Sequence, residues 1–354
     1  MKKFNLHKIL QAAVLIILCC SCSGGCTAWN FGQENSGNAD NSQSPVTLVN
    51  WNLQTFFDAN KDGFEYQEFQ KASDWNKEKY EQRLGRLCNV ISTLDADIYV
   101  FEELENEGII YDISNTLAGN GQNWNQKKFW NYSLFAKEQG SAIGIGILSR
   151  YPLSQAKVHS MDIRIHREKQ PSVRYILETT ASIKNKEVYI FANHWKSKVG
   201  GEEKTEIWRD WQESILAKRL NELNGEPVII CGDFNRDAQA FVCNFKESGA
   251  YIQKEKNTIL RYTDFGLTDY TSAQSIWFDD YGNILHKTGS YVYEDSWERI
   301  DNIMTAGKIK VTQAGPCVSS PWSLAKDYPM SYHIYSGTGY SDHLPVMAQF
   351  IVLD

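Results

Sequence analysis

The chain has 354 residues, a formal net charge of −7, 42% hydrophobic and 13% aromatic residues. That apolar content excludes a disordered chain, and the acidic balance excludes a partner held by bulk positive charge, such as a non-specific nucleic-acid coat protein. Beyond the first 45 residues the cysteines are Cys88, Cys231, Cys243 and Cys317, none in a Cys-x-x-Cys pair, which argues against a zinc cluster.

Lys2, Lys3 and Lys8 precede an apolar run from Ile9 to Leu18, closed by Cys19-Cys20-Ser21-Cys22. A basic start, a short apolar centre and small residues describe an export signal too short to span a bilayer permanently. The cysteines after it resemble a bacterial lipobox, so residues 1–22 read as a signal peptide with Cys22 as the lipid attachment site and Cys20 and Cys26 as rivals. The chain is then expected to be exported and anchored to a membrane, on its periplasmic or cell-surface face. Residues 23–45, rich in Asn, Ser, Gly and Gln, read as a flexible tether reaching roughly 25 Å. Export permits a disulfide, but core thiols with at most one bridge are the simpler expectation.

Residues 46–354 read as a single α/β body. Val46 to Leu53 alternates as a strand ending near Asn52, and Lys77 to Leu94 places Tyr80, Leu84, Leu87, Ile91 and Leu94 at helical spacing. Asp97 to Glu103 is a short buried strand carrying two carboxylates at its end. Strands follow at Ile143 to Ser149, Tyr175 to Ser182 and Val188 to Asn193, the last two as a hairpin about Lys184-Asn-Lys. Glu202 to Leu223 is a second helix, Val228 to Cys231 a buried strand stopped by Gly232, and Arg299 to Thr305 and His343 to Val352 the last strands.

The polar residues fall at the ends of these elements. Asn52, Glu103, His194, Asp233 with Asn235, Asp301, and Asp342 with His343 all sit where a strand begins or stops, and polar groups so placed cluster along one rim of a sheet. Asp233 and Asn235, two residues apart, face one spot if the strand continues to them, although Gly-Asp-x-Asn is also a good turn. There a carboxylate could accept a proton from water while the amide contacts a phosphate oxygen. Glu103 is the best metal ligand, with Asn52 beside it. Oxygen ligands without a Cys/His cluster favour Mg²⁺, with Mn²⁺ or Ca²⁺ as alternatives. His343 can trade protons near neutrality, and Asp301 is the acid that could orient it. His194 opens the basic stretch Trp195-Lys196-Ser197-Lys198, where it could protonate a leaving oxygen while a lysine neutralises phosphate.

Taken together, Asn-Trp-Asn52, Phe-Glu-Glu103-Leu-Glu-Asn, Gly-Ile-Leu-Ser-Arg150, Asn-His194, Gly-Asp233-Phe-Asn235, Arg-Ile-Asp301-Asn-Ile and Ser-Asp342-His343 resemble, in order, the motifs of the endonuclease/exonuclease/phosphatase superfamily over nearly all of Val46 to Asp354. The first acidic motif of that family usually reads Gln-Glu, whereas this chain has Glu102-Glu103. The resemblance implies a four-layer sandwich, two mixed β-sheets packed face to face with helices outside, and metal-assisted attack of water on a phosphoester. It implies Asn52, Glu103 and Asp342 as metal site, Asp233 and Asn235 as the pair on water and phosphate, His343 with Asp301 as the catalytic imidazole and its acid, His194 as a second histidine, and Arg174 as a phosphate contact. It leaves open which histidine is acid and which base.

DNA is the first substrate expected, cut endonucleolytically, because the 193–198 stretch resembles extracellular bacterial nucleases and Arg167, Lys169, Arg174, Lys196 and Lys198 could line a groove. Trp195 could stack on a base or sugar, although a core position is the commoner fate of a tryptophan. The alternative is a phospholipid, in a sphingomyelinase-like activity, or a sugar phosphate. The stretch from Asp269 to Trp297, with Tyr270, Trp277, Phe278, Tyr281, Tyr291 and Tyr293, is the candidate substrate-side loop for either case, and a monomer is expected.

Overall fold

The structure, a computed structural model, describes residues 44–119, 129–161, 170–243, 246–247, 250–251, 258–264, 267–279 and 282–354, with the backbone alone over 242–271 and at Lys326. The signal peptide, Cys20, Cys22 and Cys26, the tether as far as residue 43, Arg167, Lys169 and Tyr281 lie outside those residues, as does the side chain of Cys243.

Two sheets build the fold. In the six-stranded sheet the order is Ile309–Pro316, Val346–Val352, Val46–Phe56, Ile98–Leu104, Gly144–Ser149 and Tyr132–Ala136. In the seven-stranded sheet it is Thr258–Asp264, Leu267–Ser275, Asp301–Ala306, Val228–Asp233, Lys186–His194, Ile176–Ile183 and Leu153–His159. Each sheet is mixed. Val46–Phe56 runs parallel to Ile98–Leu104, and Lys186–His194 parallel to Val228–Asp233. A parallel neighbour needs a long crossover, and the helices Lys77–Leu94 and Glu202–Leu223 supply it in the two cases.

Side-chain alternation sets the layers. Leu48, Val100 and Ile147 from one sheet meet Ile190, Cys231 and Ile303 from the other in the central core. The residues between them turn outward: Phe191 and Ile230 pack under Leu216, Ala217 and Leu220 of the Glu202–Leu223 helix, while the Tyr99 hydroxyl donates to Ile91 O of the Lys77–Leu94 helix at 2.7 Å. Strands buried on both faces are why Val228 to Cys231 and Ile98 to Phe101 are unbroken apolar runs. The result is the four-layer sandwich expected from the sequence.

Some boundaries move. Both long helices match, but the last strand begins at Val346, not His343, because Pro345 has no N–H to give the ladder. The strand expected from Arg299 begins at Asp301. Asp269 to Trp297 is not one loop: residues through Ser275 finish a strand, Trp277 is fully buried, residues 282–285 are exposed, and the stretch then forms the small hairpin of Tyr291–Tyr293 and Ser296–Glu298. Cys88, Cys231 and Cys317 are free and buried. Among the described residues no helix is long and apolar enough to cross a membrane.

Candidate active site

The seven-stranded sheet carries three of the candidate site residues in a row. His194 and Asp233 are register partners on parallel strands, and Asp233 and Asp301 are partners on antiparallel ones. Partners share a face, so the three project together toward the other sheet. Gly232 has φ +145°, and a Cβ there would fall 2.0 Å from Asn193 O, so the strand that delivers Asp233 can pass its neighbour only as glycine. Just beyond, Asn235 adopts a left-handed φ of 47°. Its N–H is bonded to Asp233 Oδ1 at 2.8 Å, and its Nδ2 donates to Trp195 O at 3.2 Å.

The six-stranded sheet closes the other side. Its parallel ladder is interrupted between Asn52 and Phe56, and its antiparallel one between Glu102 and Leu104. Such bulges re-aim side chains beside a site. Here Gln54, Thr55 and Glu103 are all left-handed, with φ of 51°, 52° and 64°. The turned backbone lets Thr55 N donate to Glu103 Oε2 at 2.6 Å, and Asn52 Nδ2 donate to Asp233 Oδ2 at 2.9 Å. Ser341 Oγ donates to Asn52 O at 2.6 Å and accepts from His343 N at 3.1 Å. Those bonds seat Asp342 and His343 against the same strand end. His343 Nδ1 lies 2.6 Å from Asp301 Oδ2, placed for the imidazole N–H to donate to a carboxylate oxygen. Tyr291 flanks the ring, with centroids 4.8 Å apart.

A cavity of about 540 Å³ is lined by Asn52, Glu103, Arg174, His194, Asp233, Asn235, Asp342 and His343. Asp301 is fully buried behind His343. Two residues singled out from the sequence are elsewhere. Trp195 is buried against Phe234 and Phe241, and Lys196 lies outside the lining with its ammonium toward Ser197. Lys198 lines the cavity instead, paired with Glu298 and Glu202 at 3.1 Å each. Tyr291 and Tyr293, part of the expected substrate-side stretch, line the cavity from the small hairpin. Glu298, which also lines it, and Tyr66, whose phenol is bonded to Arg174 near Glu103, carry no such signal in the sequence.

Burial and neighbouring charge push the titrating groups apart. Burial, then Arg174 and His343, holds His194 well below its ordinary value. His343 is buried too, which alone would lower it, but Asp301, Asp342 and Asp233 outweigh that and hold it well above. Burial raises Glu103, with Asp342 adding to it, and raises Asp233, with Asp301 adding to it. Glu102, fully buried beneath, is raised by burial, Asp301 and Asp233. The site is thus a neutral imidazole facing a charged one, among carboxyls short of positive charge.

That shortage is the test of whether a divalent cation fits. Glu103, Asp233 and Asp342 converge on the cavity, His343 is already engaged by Asp301, and of the lining Arg174 and Lys198 the lysine is already engaged by two carboxylates. The donors around Glu103 and Asp342 are hard oxygens, as Mg²⁺ or Ca²⁺ requires. Asp233, Asp301 and His343 also offer ligand atoms within 4.8 Å of one another, but there Nδ1 of His343 is taken by Asp301. The Glu103 side is the better seat.

Residues 47–318 match the profile of the Endonuclease/Exonuclease/phosphatase family. Truncated TDP2 of Caenorhabditis elegans superposes with a TM-score of 0.53 at 13% identity, covering 87% of this chain and 98% of that one. D. rerio TDP2 complexed with a single-strand DNA product gives 0.51 at 15%, covering 87% and 99%. A mannosyl-6-phosphatase of Bacteroides thetaiotaomicron gives 0.50 at 16%, covering 86% and 99%. No curated protein sequence matches the chain.

Proposed function

Given that the chain belongs to the endonuclease/exonuclease/phosphatase family, whose members are phosphoester hydrolases, we propose that it cleaves a DNA phosphodiester by attack of water in this cavity, with a divalent cation held by Glu103, Asp342 and Asn52. The observation that carries the reading is the His343–Asp301 contact of 2.6 Å, set in a cavity that also holds His194, Asp233 and Asn235. The cation, Mg²⁺ or otherwise Mn²⁺ or Ca²⁺, supplies charge against the phosphate oxygens when bound. Neutral His194 accepts the proton of the attacking water, which Asp233 orients, the second N–H of Asn235 Nδ2 meets a phosphate oxygen, and charged His343 donates to the leaving oxygen. Arg174 steadies the phosphate. DNA is supported by the cavity-lining Arg174 and by the single-strand DNA product bound to the D. rerio protein.

A second reading, a sugar phosphate or phospholipid headgroup, is favoured by the rim. Lys198 is held by Glu298 and Glu202, which leaves that edge poorly suited to a polyanion. The mannosyl-6-phosphatase likeness supports it. Assay of the soluble chain from Thr27 with Mg²⁺ or Mn²⁺, against an EDTA control, separates the two. Plasmid nicking lost in His343→Ala supports the DNA reading. Intact plasmid with metal-dependent phosphate release from a sugar phosphate, or headgroup release from a phospholipid, replaces it with the second.

We also propose export and lipid attachment at Cys22, on the strength of residues 1–22 of the sequence, and a monomeric enzyme. Labelled palmitate incorporated by the wild type and not by Cys22→Ala would support the anchor, and incorporation by both would remove Cys22 from it.

A further inference from the structure

The Lys77–Leu94 helix turns a basic stripe toward the site. Lys79, Arg83 and Arg86 are spaced four and three apart, hence on one face. Lys79 Nζ donates to Tyr335 O at 2.8 Å, and Arg86 Nη2 to Gly337 O at 2.6 Å. Arg83 goes deeper: it is 1% exposed, and no described carboxylate is bonded to it. Its Nη2 donates to Leu53 O at 2.6 Å, Gln54 O at 2.8 Å and Tyr340 O at 3.4 Å, and its Nη1 to Thr55 O at 3.1 Å. The guanidinium lies between the rings of Tyr332 and Phe56, at 3.7 and 4.6 Å from their centroids.

A buried cation without an acid is costly, and such sites persist where the charge does something else. The three successive carbonyls belong to the interrupted stretch after Asn52, which has left its ladder and has no strand to satisfy it. The same stretch turns Thr55 N onto Glu103, and it starts from Asn52, while Tyr340 O leads into Asp342. The three candidate cation ligands therefore hang on backbone that one side chain gathers.

We propose that Arg83 is a positioning residue for the divalent-cation site: its planar fork fixes the bulge after Asn52 and the approach to Asp342, and so sets the spacing of Asn52, Glu103 and Asp342. This rests on the cation site proposed above. Lysine at 83 keeps the charge but not the fork.

Mn²⁺ binding by the whole chain, followed by electron paramagnetic resonance, tests this without turnover. Arg83→Lys should weaken Mn²⁺ by about 10- to 100-fold, the loss seen when groups orienting metal ligands are changed, with kcat at saturating Mn²⁺ within about threefold. Lys79→Ala, which frees only the outer loop, should bind as the wild type does. Tyr332→Leu, which removes one stacking ring, should weaken Mn²⁺ in the same direction, and it carries the decision if Arg83→Lys does not fold. Wild-type affinity in the folded variants overturns the role of Arg83 alone. A wild type that binds no Mn²⁺ overturns the cation site and this inference with it.

Discussion

His343 sits in the turn that leads into the last strand of the six-stranded sheet and Asp301 opens a strand of the seven-stranded one, so the 2.6 Å contact between them is a bond across the sandwich as well as the one that orients the imidazole. Asp301→Asn should therefore lower turnover strongly while leaving a folded protein, since an amide can still meet Nδ1 but favours the other tautomer. A loss of at least about 100-fold is expected, as for His343→Ala and His194→Ala, the size of a positioned acid or base. Near-wild-type turnover in both histidine variants would end the two-imidazole mechanism.

Glu103 is braced by Thr55 N through Oε2, and its Oε1 lies 3.5 Å from Asn52 Nδ2 and 3.7 Å from His194 Nε2 beside the cavity. Glu103→Gln keeps the shape and removes the charge. It should raise the Mg²⁺ concentration for half-maximal activity by roughly 10-fold or more, a shift read directly from a metal titration. An unchanged titration would take Glu103 out of the cation site.

Glu298 engages Lys198 at the cavity rim. Glu298→Gln leaves only Glu202 on that ammonium and should loosen it toward phosphate, raising kcat/KM on DNA a few-fold and steepening the dependence of log affinity on log salt by up to about one. No change on DNA, with a loss on a sugar phosphate, would favour the second substrate reading.

Glu178 lies far from this chemistry, bonded by Arg219 and by His159. Burial alone would raise it, but those partners outweigh burial and hold its carboxyl below the usual range. A carboxylate depressed in the folded state gives stability that is complete above its unfolded pKa of about 4.3 and is lost as pH falls through the folded value. Glu178→Gln should cost roughly 2 kcal/mol at pH 7, less than a fully buried pair because Arg219 is 22% exposed and keeps Glu222. The gap in denaturant midpoint between variant and wild type should close below about pH 4.

The sandwich was legible because its central strands are buried on both faces. Val228 to Cys231 and Ile98 to Phe101 announce themselves, and their ends mark where Asp233 and Glu103 stand. Leu153–His159 was not legible, since its centre is exposed and carries no apolar run. His343 could be placed beside the last strand but not in the turn that aims it, which depends on Ser341 and on Pro345. Arg83 shows the sharpest limit. On a helix rich in charge it reads as a solvated residue, and only the three carbonyls released by the bulge after Asn52 explain its burial. For the rim, the sequence points to Lys196 as the phosphate contact, and the loop's path puts Lys198 on the cavity instead.

His194, Asp233 and Asp301 occupy one rung across three adjacent strands. A strand displaced by a single position would turn its member of the rung into the helix layer and bring inward a neighbour with no titrating side chain. Partial activity from a slightly mispaired chain is thus not available. A refolded preparation should divide into fully competent molecules and dead ones, so titrating its active sites would count correctly registered sheets.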